Sequence, residues 1–252
     1  MRWWNVNGRW RIADKEFLNS TDIIFISESH CSCLSMPEID GFKIVGDNNF
    51  PLISKHGGNV AYIKNEIYEH IISLRYSKVS LAFNFSFAPN VVFMGNYIYP
   101  INSYNYVEGD FAILSNDIHY WLEKGAIPYI GGDFNSRIGD INAFSQDHLK
   151  WRYSNNVDSI SNQHGKSLLE VCDVHHIQPI NHCNYYNTQF DGCFTYWKGE
   201  KKSQIDFLIT NSEGRRLITE FNIIQTGWHT SDHLPLELKV EIPLHMNAAM
   251  VF

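Results

Sequence analysis

The chain has 252 residues, of which 44% are hydrophobic, 14% aromatic and 19% charged. That composition supplies a large core and excludes a disordered chain, and the length fits a single β-rich domain. The formal net charge of −7 excludes a broad basic face for gripping nucleic acid, because phosphate neutralisation by Lys and Arg normally supplies much of that affinity.

The opening segment MRWWNVNGRW carries no long apolar stretch and does not read as a secretion signal. Its WNVNG portion (4–8) places Asn5 and Asn7 just before Gly8, where both also suit a turn. DIIFIS (22–27) reads as a strand running into Glu28, and VVFMGNYIY (91–99) as a longer one carrying Tyr97 and Tyr99. Phe111, Leu114, Ile118, Trp121 and Leu122 recur at helical spacing, with Gly125 as a stop.

AIPYI (126–130) is an apolar run that ends on GGDFNSRIGD (131–140), so a buried strand hands over to Asp133 and Asn135. Leu168, Leu169, Val171, Cys172 and His175 predict a second helix. QIDFLIT (204–210) reads as a strand with Asp206 in its middle. An unpaired charge there costs several kcal/mol, so Asp206 needs a partner such as a histidine. SDH (231–233), with Asp232 and His233, precedes a last strand in LPLELKVEI (234–242).

HMNAAMVF (245–252) lacks a partner pattern and is expected to fray, leaving one domain over residues 1–244. Mixed strands and helices without strict βαβ alternation favour two packed sheets with helices outside. Strand ends converge in space, and polar residues able to bind metal or phosphate stand at several of them.

Five cysteines, an odd number, do not form a disulfide framework, and no run of about 18 apolar residues occurs. A reducing intracellular setting, nucleus or cytoplasm, with no membrane partner and no secretion, is the expectation. Cys172, His175, His182, Cys183 and Cys193 invite a zinc reading. Their spacing matches no compact Cys/His finger, so zinc is not expected. HCSC (30–33) reads as a loop near Glu28.

The ordered series WNVNG, Glu28, the YIYP segment, GDFN, IDF and SDHLPL resembles the endonuclease/exonuclease/phosphatase superfamily, the DNase I-like and apurinic-endonuclease-like proteins. The resemblance spans roughly residues 2 to 242. GDFNSRIGD, HGKSLLEVCDVHHIQPIN and FTYWKGEKKSQIDFLIT bring it closest to the endonuclease domains of non-LTR retrotransposons.

The resemblance implies an α/β (α+β) four-layered sandwich, two mixed β-sheets face to face with helices on the outer faces. It also implies a Mg²⁺-dependent endonuclease, with Mn²⁺ as a substitute, that nicks DNA to leave a 3′-hydroxyl. The implied partners are a DNA substrate and, in a retroelement, a reverse transcriptase domain beyond this chain. Glu28 matches the metal carboxylate, Asp232 a second acidic residue near the metal, and Asn5 and Asn7 the opening motif. Asn7 stands where several family members carry Asp, which removes one acidic ligand. Mg²⁺ prefers such oxygen donors and keeps several waters.

By the same resemblance Asp133 orients or deprotonates the attacking water, with protonation of the leaving oxygen as the rival role, and Asn135 holds it in line. His233, oriented by Asp206, donates to a phosphate oxygen with help from Tyr97, chosen over Tyr99. Lys201, Lys202, Arg215 and Arg216 read as solvated turns or as phosphate contacts on either side of a DNA groove. Tyr196 and Trp197 beside Lys198 read as base contacts or core. A phosphomonoesterase or phosphoinositide-type phosphatase of the same fold, and a catalytically silent nucleic-acid-binding domain, are the alternatives.

Overall fold

The computed structural model describes residues 1–9, 17, 19–30, 35–46, 57–139, 158–181, 194–224 and 231–242. The tail, Cys31, Cys33, His182, Cys183 and Cys193 lie outside them. Among the described residues, one six-stranded sheet joins β1 (Arg2–Asn5), β2 (Ile23–Ser27), β3 (Phe42–Gly46), β4 (Asn59–Lys64), β13 (Ile218–Ile223) and β14 (Leu236–Val240) in the order β13-β14-β1-β2-β4-β3. A second sheet joins β5 (Ile71–Tyr76), β6 (Ser80–Phe85), β7 (Ala88–Tyr97), β8 (Ile127–Asp133), β9 (Ile177–Pro179) and β12 (Asp206–Asn211) in the order β5-β6-β7-β8-β12-β9. β10 (Tyr196–Lys198) and β11 (Lys201–Ser203) form a separate ribbon.

The strand period of two sorts the side chains into three cores. Ile23 and Phe25 of β2, Leu81 and Phe83 of β6, and Val91 and Phe93 of β7 meet between the sheets. Ile24 and Ile26 point the other way, onto Trp4, Phe17 and Met36. Ala82, Val92 and Met94 meet the helices α2 (Asp110–Leu122) and α3 (Gln163–Val174). Two further helices, α1 (Asn65–Tyr68) and α4 (Ser212–Arg216), are single turns. The two-sheet sandwich expected from the sequence is therefore present, and no helix among the described residues is long and apolar enough to cross a membrane.

The predicted helices form where the spacing places them. Leu114, Ile118 and Trp121 are the buried stripe of α2, and Gly125 follows in the left-handed region at φ 71°. In α3, Leu168, Leu169, Val171 and Cys172 are buried, but His175 is the C-cap and reaches Ser115 of α2 at 2.7 Å. β7 begins three residues before the predicted run and stops at Tyr97. Strands β3 to β6, β9 to β11 and β13 carry patterns too weak to predict them.

The double glycine before Asp133 has a packing cause. A Cβ on Gly131 would lie 2.4 Å from the Trp3 ring, which crosses between the sheets and donates its indole N–H to the Met94 carbonyl at 2.8 Å. Gly132, at φ 138°, would meet the Asn96 carbonyl at 2.0 Å. Only glycine lets β8 lie this close to β7 and β1.

Candidate active site

Strand register brings the polar ends together. Asp133 lies level with Tyr97 on the parallel neighbour β7 and with Asp206 on the antiparallel neighbour β12. Asp206 therefore opens β12 rather than occupying its middle. Across the sandwich, Asn5 ends β1 level with Ser27 of β2, one residue before Glu28. Sheet packing closes the gap, and the Asn5 amide donates to Asp133 Oδ2 at 2.8 Å.

Segment 231–233 is tied to the same corner. Ser231 Oγ donates to the Asn5 carbonyl at 2.6 Å and accepts the His233 amide at 3.1 Å, while the Trp4 indole donates to the His233 carbonyl at 3.0 Å. The His233 ring then has Nδ1 at 3.0 and 3.1 Å from the two Asp206 oxygens and Nε2 at 3.9 Å from Asp133. All three are buried.

Their ionisation follows from that crowding. Burial works to lower the His233 pKa, but Asp206, Asp133 and Asp232 outweigh it and raise it to about 9, so the imidazole is a cation at neutral pH. For Asp133 burial, then Asp206 and Glu28, raise the carboxyl, while His233 and the Asn135 amide oppose.

Asp133, Asp206 and His233 offer ligand atoms within 4.8 Å of one another. The imidazole, bonded to Asp206 and 3.9 Å from Asp133, bridges the two carboxyl groups.

Glu28 offers a different setting. Burial disfavours its charge, yet hydrogen bonds from His30, Tyr97 and Asn5 hold it below the usual glutamate value. The Tyr97 hydroxyl, 2.5 Å from Glu28 Oε1, is kept a neutral phenol by burial and by Glu28 and Asp133. It therefore positions Glu28, where the resemblance implied help at a phosphate oxygen. The Tyr99 ring packs edge-on against Tyr97 at 4.9 Å and carries Lys78 Nζ over its face at 5.2 Å.

The Asn7 amide donates to both Asp232 oxygens at 3.1 and 3.3 Å, and its backbone N–H donates to Asn5 Oδ1 at 2.9 Å. An Asp at position 7 would instead face a second carboxylate. Asn7, Glu28 and Asn135 have φ of 45°, 50° and 48°. Such left-handed geometry is uncommon for residues other than glycine and gathers at functional sites.

Every residue expected at the site thus stands in one connected corner. Sequence reasoning missed the residues that hold it. Thr195 Oγ1 accepts the Asp206 and Ile205 amides at 3.1 and 3.2 Å, and Asn181 donates to the Asp206 carbonyl at 2.9 Å. Both sit in segments quoted for the resemblance, Thr195 in FTYWKGEKKSQIDFLIT and Asn181 in HGKSLLEVCDVHHIQPIN, but neither residue type signals a supporting role by itself. The Tyr196 ring lies 4.8 Å from that of His233.

The basic pairs separate. Lys201 and Lys202 are exposed on the ribbon that pairs with His233 through Tyr196. Arg215 and Arg216 follow the far end of β12, about 17 Å of strand from Asp206. They do not flank the site. Of the zinc candidates among the described residues, Cys172 is fully buried within α3, its thiol pKa pushed up by burial, and His175 caps that helix.

Solved structures share this fold. A 3′ phosphatase, NExo from Neisseria, bound to product DNA hairpin, superposes with a TM-score of 0.66 at 16% identity, over 96% of this chain and 98% of that one. The chain has the DNase I-like fold. The APE2 catalytic domain from Xenopus laevis shares this fold with a TM-score of 0.67 at 15% identity, covering 95% of this chain and 90% of that one. An AP endonuclease from Archaeoglobus fulgidus gives 0.65 at 15% over 96% and 98%. No family model and no curated protein matches the sequence. Within the DNase I-like fold, the corner described above lies where the two sheets meet at their strand ends.

Proposed function

We propose that the protein is a metal-dependent phosphodiesterase, an endonuclease that nicks DNA and leaves a 3′-hydroxyl. The observation that carries this reading is the Asp206–His233 pair set 3.9 Å from an Asp133 that is itself held by Asn5 and Asn135. Asp133 in its ionised form takes a proton from water as the water oxygen attacks phosphorus; the bond from phosphorus to the 3′ oxygen breaks, and that oxygen takes a proton from solvent to become the 3′-hydroxyl. The His233 cation, fixed by Asp206, donates to a non-bridging phosphate oxygen as charge grows there. Asn135 keeps Asp133 in line.

The fold family implies a divalent metal. Glu28, hydrogen-bonded and held below the usual glutamate value, would with the Asn5 and Asp232 oxygens supply the hard-oxygen donors that Mg²⁺ or Mn²⁺ prefers. When bound, the cation supplies Lewis-acid stabilisation of phosphate charge.

A DNA substrate is supported by the neighbours, described as AP endonucleases and a 3′ phosphatase bound to a DNA hairpin. The ribbon beside His233, with exposed Trp197, Lys198, Lys201 and Lys202, offers local positive charge on an otherwise acidic chain. Retroelement target nicking, and with it a reverse transcriptase partner, is supported by the GDFNSRIGD and FTYWKGEKKSQIDFLIT segments alone. The second reading, a phosphomonoesterase, draws on the same neighbour described as a 3′ phosphatase.

Supercoiled plasmid incubated with the protein in Mg²⁺, in Mn²⁺ and in EDTA tests the reading. Conversion to nicked circles is expected with metal, lost in EDTA and reduced at least about 1,000-fold in Asp133→Ala and His233→Ala. An intact plasmid together with phosphate release from 3′-phosphorylated DNA ends or inositol phosphates would transfer the assignment to the second reading.

A further inference from the structure

Asn135 keeps its left-handed backbone, φ 48°, only because its surroundings hold it there. Its amide N–H donates to Asp133 Oδ1 at 2.8 Å and its side chain to the Ile98 carbonyl at 2.9 Å. Its carbonyl is held from another element, the first turn of α3. Asn162 Nδ2 donates to it at 3.0 Å.

Asn162 does two jobs with one carboxamide. Its Oδ1 caps α3 by accepting the Gly165 amide at 2.7 Å and also accepts the Arg137 amide at 3.0 Å. Capping needs only an acceptor. The Nδ2 donation to Asn135 is additional, and aspartate, an equally good cap, could not make it.

The seating is close. A Cβ on Gly165 would lie 2.0 Å from the Arg137 carbonyl, and the Asn162 amide donates to that carbonyl at 2.9 Å.

We propose that Asn162 is a positioning residue: it sets the Asn135 backbone and, through its amide, the orientation of the Asp133 carboxylate. It does not touch the reacting atoms. The inference rests on the hydrolase reading for its effect on turnover, and on geometry alone for its effect on Asn135.

Asn162→Asp separates this role from capping, because it retains the acceptor and removes the donor. The expected result is an unchanged thermal midpoint and unchanged KM for plasmid nicking, with kcat lowered about 10- to 100-fold and faster hydrogen exchange at the Asn135 amide. Asn162→Ala, which also loses the cap, lowers the midpoint as well.

Wild-type turnover and unaltered Asn135 exchange in Asn162→Asp would overturn the proposal, as would activity losses that merely follow the midpoint across both variants. A wild-type protein that cleaves no phosphoester removes the hydrolase reading, and the Asn135 exchange rate then decides the positioning by itself.

Discussion

His233 concentrates the chemistry of the site in one ring whose charge depends on its neighbours. Asp133 and His233 lie 3.9 Å apart and each acts on the other's charge, so the limbs of a pH–rate profile belong to both. The alkaline limb is expected near pH 9, where the raised imidazolium loses its proton. Asp206→Asn removes the carboxylate that most opposes burial, so the limb moves toward the ordinary histidine value of about 6.5 and kcat falls about 100-fold. An unmoved limb would assign the titration to another group. The same shift has a stability consequence. Because the folded-state pKa is raised, the pair stabilises fully below about pH 6.5. That contribution fades as pH rises through about 9, and the urea midpoints of wild type and Asp206→Asn should converge there.

Strands and helices explain why the site residues meet at all. Asp133, Tyr97 and Asp206 are level across three neighbouring strands, a register that one face of alternating apolar side chains enforces. The helices are readable from their stripes, and β2, β8 and β12 from their apolar runs. Short pieces such as β9 and the β10–β11 ribbon are not, since three residues give no period to read. The ribbon carries its own prediction. Replacing Lys201 and Lys202 by Ala should reduce the slope of log affinity for DNA against log salt by about 2, roughly 0.9 for each phosphate no longer neutralised, while cleavage of a small phosphodiester is unaffected. An unchanged slope, measured by fluorescence anisotropy, would make these lysines ordinary solvated turn residues.

Across the whole molecule, the layer between the sheets binds both halves of the site into one object. Phe83 lies 5.1 Å from Phe25 and touches both sheets' share of the core. Phe83→Ala is expected to cost about 3–5 kcal/mol, read as a lower urea midpoint with a single transition, because Asn5 and Glu28 on one sheet and Asp133 and Asp206 on the other depend on the same packing. Separate transitions for tryptophan fluorescence and far-UV signal would show that the sheets unfold independently. The acidic chain confines any attraction for DNA to local features, so binding should be strongly salt-dependent only through the ribbon.

The sequence by itself determined the sandwich class, the two long helices and the polar residues at strand ends, because periodicity and turn chemistry act over neighbouring residues and leave their mark in local order. It also sufficed to pair Asp206 with a histidine, since a buried charge demands a counter-charge. Tertiary structure alone decided that Tyr97 bonds Glu28, that Asn7 bonds Asp232, that the two arginines lie at the far end of β12, and that Asn162 reaches back to Asn135. Those bonds join residues from separate elements, and which donor meets which acceptor depends on register, sheet spacing and the room left by Gly131 and Gly165, quantities that exist only once the layers have packed.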